Sequence, residues 1–207
     1  DFGAQYAQLI ARRVREASVY SEIVPSNLTA EEFAAKEPSA IILSGGPKSV
    51  HVEGAPAMDP GVYDLGVPIL GICYGAQLIA QQLGGTVGRG GAGEYGRTVM
   101  DPIEGAPTEL LVGDLAHTQT VWMSHFDAVT DVPEGFVATA ASPGAMVAVL
   151  ENPERRIYGV QYHPEVVHTP HGQLLLERFL HQVAGLSTDW TMENFVDTAV
   201  EAIRAQV

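Results

Sequence analysis

Only one cysteine, Cys73, occurs among the 207 residues. That excludes an intramolecular disulfide framework and fits a reducing, cytoplasmic compartment. Basic side chains are also scarce: 11 Lys+Arg stand against 25 Asp+Glu, for a formal net charge of −14. A protein that coats nucleic acid or an anionic membrane needs clustered positive charge, so neither partner is expected. No apolar run reaches the roughly 18 residues of a membrane helix. Residues 1–17 carry Arg12, Arg13, Arg15 and Glu16 at helical spacing, unlike a secretory signal. What the chain does have is core material. Forty-six percent of its residues are hydrophobic and its mean hydropathy is +0.08, which excludes a disordered chain and suits one domain. The opening Asp1-Phe2-Gly3 reads as the end of a strand whose earlier residues are missing, so a trimmed N-terminal strand is expected.

Hydrophobic periodicity gives the order of elements. Tyr6, Leu9, Ile10, Val14 and Ala17 form one face of a first helix. Val19–Val24 reads as a strand, and Thr29 with Glu32 as the capping box of a short helix over 30–36. Two brief apolar strands follow, Ala40–Leu43 and Val67–Gly71, the second running into a helix over Tyr74–Leu83 that stops at Gly84-Gly85. Between Thr86 and Gln161 the pattern changes to short runs: Glu94–Met100, Glu109–Val112, Thr120–Met123, Phe136–Ala141, Ala145–Leu150 and Ile157–Gln161. Helix returns over Gly172–Ala184. This order predicts an α/β fold: an open, largely parallel sheet with helices on both faces, plus a small antiparallel section within the same domain. The tail from Ser187 reads as a separate helix capped by Thr191, with Phe195, Val196, Ala199, Val200 and Ile203 on one face.

The strongest chemical signal is Gly71-Ile72-Cys73-Tyr74-Gly75 between a strand and a helix. This is the nucleophile-elbow pattern with Cys in place of Ser. Flanking glycines allow the sharp turn, the helix N-terminus favours a thiolate, and the Tyr74 amide points where an oxyanion would form. A buried inert cysteine is the competing reading. A cysteine nucleophile needs a base and a group that orients it. His163-Pro164-Glu165 follows the strand Ile157–Gln161, and a two-residue separation lets Glu165 hold one imidazole nitrogen while the other faces sulfur. On its own that tripeptide is equally a His-Pro turn beside a solvated Glu. Ser44-Gly45-Gly46-Pro47 offers a second oxyanion donor at Gly46, or a plain turn; no Gly-Lys-Ser/Thr follows, so a phosphate loop is a poor reading. His163, His168 and His171 are close in sequence, but Pro164 and Pro170 break any helix that would align them, and no metal site is expected.

Taken together, Gly-Ile-Cys-Tyr-Gly-Ala-Gln around Cys73, the earlier Gly-Gly-Pro and the later His-Pro-Glu resemble the class I, triad-type glutamine amidotransferase family along nearly the whole chain. The resemblance implies a flavodoxin-like fold over residues 1–186. It also implies a Cys73–His163–Glu165 triad, an oxyanion hole from the amides of Gly46 and Tyr74, and substrate contacts from Gln77, Ser124, His125 and Phe126. The implied substrate is L-glutamine, with no cofactor of the domain's own. Narrower likenesses at 1–6, 9–16, 44–50, 121–125, 159–166 and 190–207 point to the branch whose ammonia aminates XMP to GMP. In that branch residues 187–207 would lead into an ATP-pyrophosphatase (synthetase) domain that uses ATP and Mg2+, and the full-length enzyme would be a homodimer. Glutaminases of anthranilate or carbamoyl-phosphate synthesis, and a silent ligand-binding module, stand as alternatives. Two positions depart from the family pattern. Phe126 stands where relatives have Gly, which puts its backbone geometry and the room for glutamine in doubt, and Gly93 stands where relatives commonly have Arg.

Overall fold

The computed structural model describes residues 1–89 and 92–191. Helix α1 (Ala7–Glu16) buries Ile10, Ala11 and Val14 and pairs Arg12 and Arg13 with Glu16 on its wet side. The capping box of α2 (Ala30–Ala34) forms as the spacing predicts. The Thr29 hydroxyl accepts from the Glu32 amide at 3.2 Å, and the Thr29 amide donates to the Glu32 carboxylate at 2.8 Å.

Strands β1 (Ile41–Leu43) and β2 (Ile69–Ile72) precede helix α3 (Tyr74–Gln82). They are followed by β3 (Thr86–Gly88), β4 (Glu94–Pro102), β5 (Gln119–His125) and β6 (Ala128–Asp131). Then come β7 (Val137–Ser142), β8 (Ala145–Asn152) and β9 (Ile157–Val160). Helix α4 (Gly172–Glu177) continues into a π-helical turn over Arg178–Val183.

One seven-stranded sheet runs β1-β2-β9-β8-β7-β4-β5. Its β1–β2–β9 part is parallel, and β9–β8–β7–β4–β5 continues antiparallel. The antiparallel section is therefore larger than the short runs suggest, and it is fused to the parallel strands rather than set beside them. Strands β2 and β9 are buried at every residue, as a sheet covered on both faces requires. One core gathers Ile10 and Val14 of α1 with Leu175, Leu176 and Phe179. The other gathers Leu78 and Ile79 of α3 with Phe33, Val62 and Tyr63.

Two expectations need correction. Val19–Val24 forms no strand. Glu109–Val112 is irregular because its amides pair with a side chain instead of a strand. The amides of Glu109 and Leu110 donate to the buried Glu151 carboxylate at 2.8 and 3.2 Å, and the Thr139 hydroxyl donates to it at 2.8 Å. Strands β3 and β6, which pair with each other, are too short and too polar at their ends to register as periodic runs. The helix expected beyond Thr191 lies outside the described residues.

Candidate active site

Cys73 stands between β2 and α3, at φ 51° and ψ −105°. A non-glycine residue in that region is strained by about 1–3 kcal/mol, and such strain persists only where the surroundings enforce it. Here the Cys73 amide donates to the Val160 carbonyl of β9 at 2.7 Å, and its carbonyl accepts from the Gln77 amide at 3.1 Å. The flanking glycines serve a different purpose from the one their positions suggest. Neither has positive φ. A Cβ on Gly71 would stand 2.6 Å from the Ala76 nitrogen, and one on Gly75 would stand 2.5 Å from the Leu43 carbonyl oxygen. They let α3 lie directly against the strands, while the turn itself is carried by the cysteine.

His163 is fixed from three directions. Its amide donates to the Trp122 carbonyl at 2.9 Å, and its carbonyl accepts from the Thr169 hydroxyl at 2.7 Å. Its ring Nδ1 lies 2.8 Å from Glu165 Oε1, and the Tyr6 ring meets it edge-on at 5.7 Å. Burial disfavours the charged ring, but hydrogen bonding and charge from Cys73 and Glu165 outweigh it and push His163 up to about 10. Glu165 is fully buried, and its Oε2 has no hydrogen-bond partner among the described residues. The Arg13 side chain ties down the Glu165 carbonyl at 2.9 Å.

The loop Ser44–Pro47 packs against this group. The Gly75 amide donates to the Ser44 carbonyl at 3.1 Å. A Cβ on Gly45 would approach His163 Cε1 to 3.2 Å, and one on Gly46 would meet the Tyr74 ring at 3.0 Å. The amides of Gly46 and Tyr74 find no backbone acceptor among the described residues. On the far side of the sulfur, the Ser124 carbonyl lies 3.7 Å from Sγ. An exposed Ser124 is followed by a buried His125, whose ring turns inward to Glu94 (2.9 Å) and to the Asp127 carbonyl (3.1 Å). The amide of Gln77 is also committed inward, to the Asp127 carbonyl and to Gln161.

Phe126 sits outside the left-handed region, so the backbone strain expected of a residue replacing glycine is absent. The residue is 45% exposed and its ring lies under Arg89, 4.5 Å from ring centre to guanidinium carbon. It therefore does not plug a buried pocket. Gly93 lies against it: a Cβ there would stand 2.9 Å from Phe126 Cδ2. The two departures from the family pattern are neighbours in space.

Two residues escape the sequence reading. Gln161 donates to Cys73 Sγ at 3.7 Å; its position two residues before His163, where alternation places it on the same side, is the available signal. Glu94 accepts from Ser142 Oγ at 2.7 Å and from the Gly144 amide at 2.9 Å, besides its pairing with His125. An acid on the buried face of an alternating strand is its signal. Among the described residues no group of three or more His, Cys, Asp or Glu side chains is placed to hold a metal ion, and no helix is long and apolar enough to cross a membrane.

Residues 1–183 match the family described as glutamine amidotransferase class-I. The chain is 61% identical over all 207 residues to the GMP synthase (glutamine-hydrolyzing) of Nocardia farcinica, and 59% identical to that of Thermobifida fusca. It spans 39% of the length of each. Among solved structures, a putative GMP synthase subunit from Thermoplasma acidophilum superposes with a TM-score of 0.78 at 30% identity, covering 89% of this chain and 91% of that one. A glutamine amidotransferase of Thermotoga maritima shares the fold, with a TM-score of 0.65 at 18% identity over 89% of this chain and 93% of that one. The protein belongs to the class-I glutamine amidotransferase family.

Proposed function

We propose that the chain hydrolyses the side-chain amide of L-glutamine to glutamate and ammonia through a glutamyl thioester on Cys73. The observation that carries this reading is the strained Cys73 elbow set against the His163–Glu165 pair. Cys73 Sγ attacks the amide carbon, and the carbonyl oxygen takes up the electron pair as an oxyanion. The amides of Tyr74 and Gly46 are the donors for it. Collapse of the adduct expels nitrogen, and the His163 imidazolium gives it the proton that lets ammonia leave. His163, now neutral, takes a proton from water, whose oxygen attacks the thioester carbon. The C–S bond breaks, and glutamate leaves as the thiolate returns. Glu165 holds the imidazole through Nδ1 and favours its charged form. The 124–126 stretch beside the sulfur holds the amino-acid end of glutamine, and Gln77 supports it from behind by donating to the Asp127 carbonyl.

The ammonia would then aminate XMP to GMP in an ATP-pyrophosphatase domain of the same polypeptide. ATP and Mg2+ would belong to that domain, the complete enzyme would be a cytoplasmic homodimer, and residues 187–207 would be the connection. Support for this larger role comes from the relatives named GMP synthase, of which the chain spans 39%.

The test is covalent labelling with 6-diazo-5-oxo-norleucine, read by intact mass, together with glutamine turnover. One adduct on Cys73 that excess glutamine blocks, and no turnover in a folded Cys73→Ala variant, are the expected results. Undiminished turnover in Cys73→Ala would refute the reading.

A further inference from the structure

A continuous chain of hydrogen bonds leads from a buried carboxylate to the sulfur. Glu94 Oε2 pairs with His125 Nε2 (2.9 Å), and His125 Nδ1 with the Asp127 carbonyl (3.1 Å). That same carbonyl accepts from Gln77 Nε2 at 2.6 Å. Gln77 Nε2 also donates to Gln161 Oε1 at 3.1 Å, and Gln161 Nε2 reaches Cys73 Sγ at 3.7 Å. Gln77 and Gln161 are both buried, at 4% and 1% exposure.

The direction of this chain is forced. A side-chain amide can be turned over with little change in shape, so its polarity must come from its partners. The Asp127 carbonyl can only accept, so the Gln77 atom beside it must be the NH2 nitrogen. The second hydrogen of that nitrogen leaves only an acceptor role for the facing atom of Gln161. The remaining end of Gln161, its NH2 group, therefore has to face the sulfur. The backbone of Gln161 is pinned as well, its amide donating to the Ala148 carbonyl at 2.8 Å.

We infer that Gln161 is a dedicated donor to the Cys73 sulfur, oriented by Gln77 and the Asp127 carbonyl, and that it stabilises the thiolate and aims it. A donor on sulfur favours the anion over the thiol. The other neighbours of the sulfur are the His163 ring, with Glu165 behind it, and the Ser124 carbonyl. A thiol can donate to that carbonyl, whereas a thiolate cannot, so among these side chains Gln161 and His163 side with the anion, as the N-terminus of α3 does. The relay also couples the sulfur to the 124–127 stretch, because Gln77 donates both to the Asp127 carbonyl and to Gln161. This inference deepens the glutaminase reading and rests on Cys73 being its nucleophile.

The first readout does not depend on glutamine. Cys73 is the only cysteine, so the ultraviolet absorbance of its thiolate, taken as the difference from Cys73→Ala, reports its titration alone. Gln161→Met keeps the length of the side chain and removes the donor. Its thiolate absorbance at neutral pH should fall, and its alkylation by iodoacetamide at neutral pH should slow by about tenfold, the size of one hydrogen bond to a charged group. Gln161→Glu, which turns an acceptor and a charge toward the sulfur, should slow it further. An unchanged titration in a folded Gln161→Met protein would overturn the inference.

The second readout uses the unmutated chain and so survives a variant that fails to fold. The side-chain amide resonances of Gln161 should shift as Cys73 ionises and again when it is alkylated. Resonances indifferent to both would overturn the inference. A sulfur that titrates as described in a chain that hydrolyses no glutamine would leave this inference standing and remove the glutaminase reading.

Discussion

Among the described residues two buried histidine–glutamate pairs occur, and they differ in what else the carboxylate touches. Glu94 receives His125, the Ser142 hydroxyl and the Gly144 amide, so both of its oxygens are occupied. Glu165 receives only His163 and keeps Oε2 without a partner among the described residues. A buried carboxylate with several donors is stabilised whatever its histidine does, and it acts as a pin joining β4, β5 and the β7–β8 turn. A buried carboxylate with one donor depends on that donor's charge, and it returns the effect by raising the histidine. The same two side chains thus make a structural clamp in one place and, in the other, a histidine whose charged form is favoured.

The comparison breaks most visibly in activity. Glu165→Gln keeps the volume and removes the charge, so turnover of glutamine should fall by roughly 10²–10⁴-fold, the range for disabling a general acid–base. Steady-state ammonia release measures this, and a melting temperature close to the parent's shows that the fold has survived. Full turnover in this variant would mean that His163 needs no charged partner.

Glu94→Gln should reverse the balance. It weakens three charge-assisted hydrogen bonds, and a loss of about 2–4 kcal/mol in unfolding free energy is expected. Its effect on turnover should be smaller than that of Glu165→Gln, because Glu94 reaches the sulfur only through the relay of amides. Denaturant midpoints and turnover on the same samples decide this. Equal loss of activity in both variants would show that the two pairs work as one unit.

A third test reads the tuned pair directly. His163 lies at about 10 instead of 6.5 in the folded chain. The stability it contributes is therefore fully present below pH 6.5 and is lost as pH rises through about 10. Proton resonances of its ring should titrate in that upper range in the parent and move down in Glu165→Gln or Cys73→Ala. A ring that titrates near 6.5 in the parent would remove the ion-pair description of the site.

How much of this is legible in the sequence follows from the range of each interaction. The Cys73 elbow, the Thr29–Glu32 box and α1 are local patterns, and each is where its spacing puts it. The turn strain falls on a different residue from the one expected, because sequence cannot distinguish a glycine needed for positive φ from one needed for close packing. Gly71 and Gly75 are the second kind. The Glu109–Val112 run reads as a strand since nothing local reveals that the distant Glu151 takes its amides. Gln161 and Glu94 escape notice for a related reason. Their roles exist only once β9, α3, β4 and β5 have been brought together, and no motif spacing encodes that meeting.

The smallest effect is expected at Phe126. Phe126 is half exposed, lies under Arg89, and fills the room that Gly93 leaves. Phe126→Gly should cost no more than about 0.5–1 kcal/mol from the lost cation–π contact, with a small further cost for glycine flexibility. Because the ring faces outward, KM for glutamine should change by less than about threefold, a binding difference well below about 1 kcal/mol. Gly93→Arg alone should be worse than Phe126→Gly, since its Cβ would meet both the His125 carbonyl oxygen and the Phe126 ring at 2.9 Å. The double variant should recover part of that loss, which a double-mutant cycle on unfolding free energy measures. Strict additivity of the two changes would show that the pair is adjacent without being coupled, and that Phe126 owes its place to something other than Gly93.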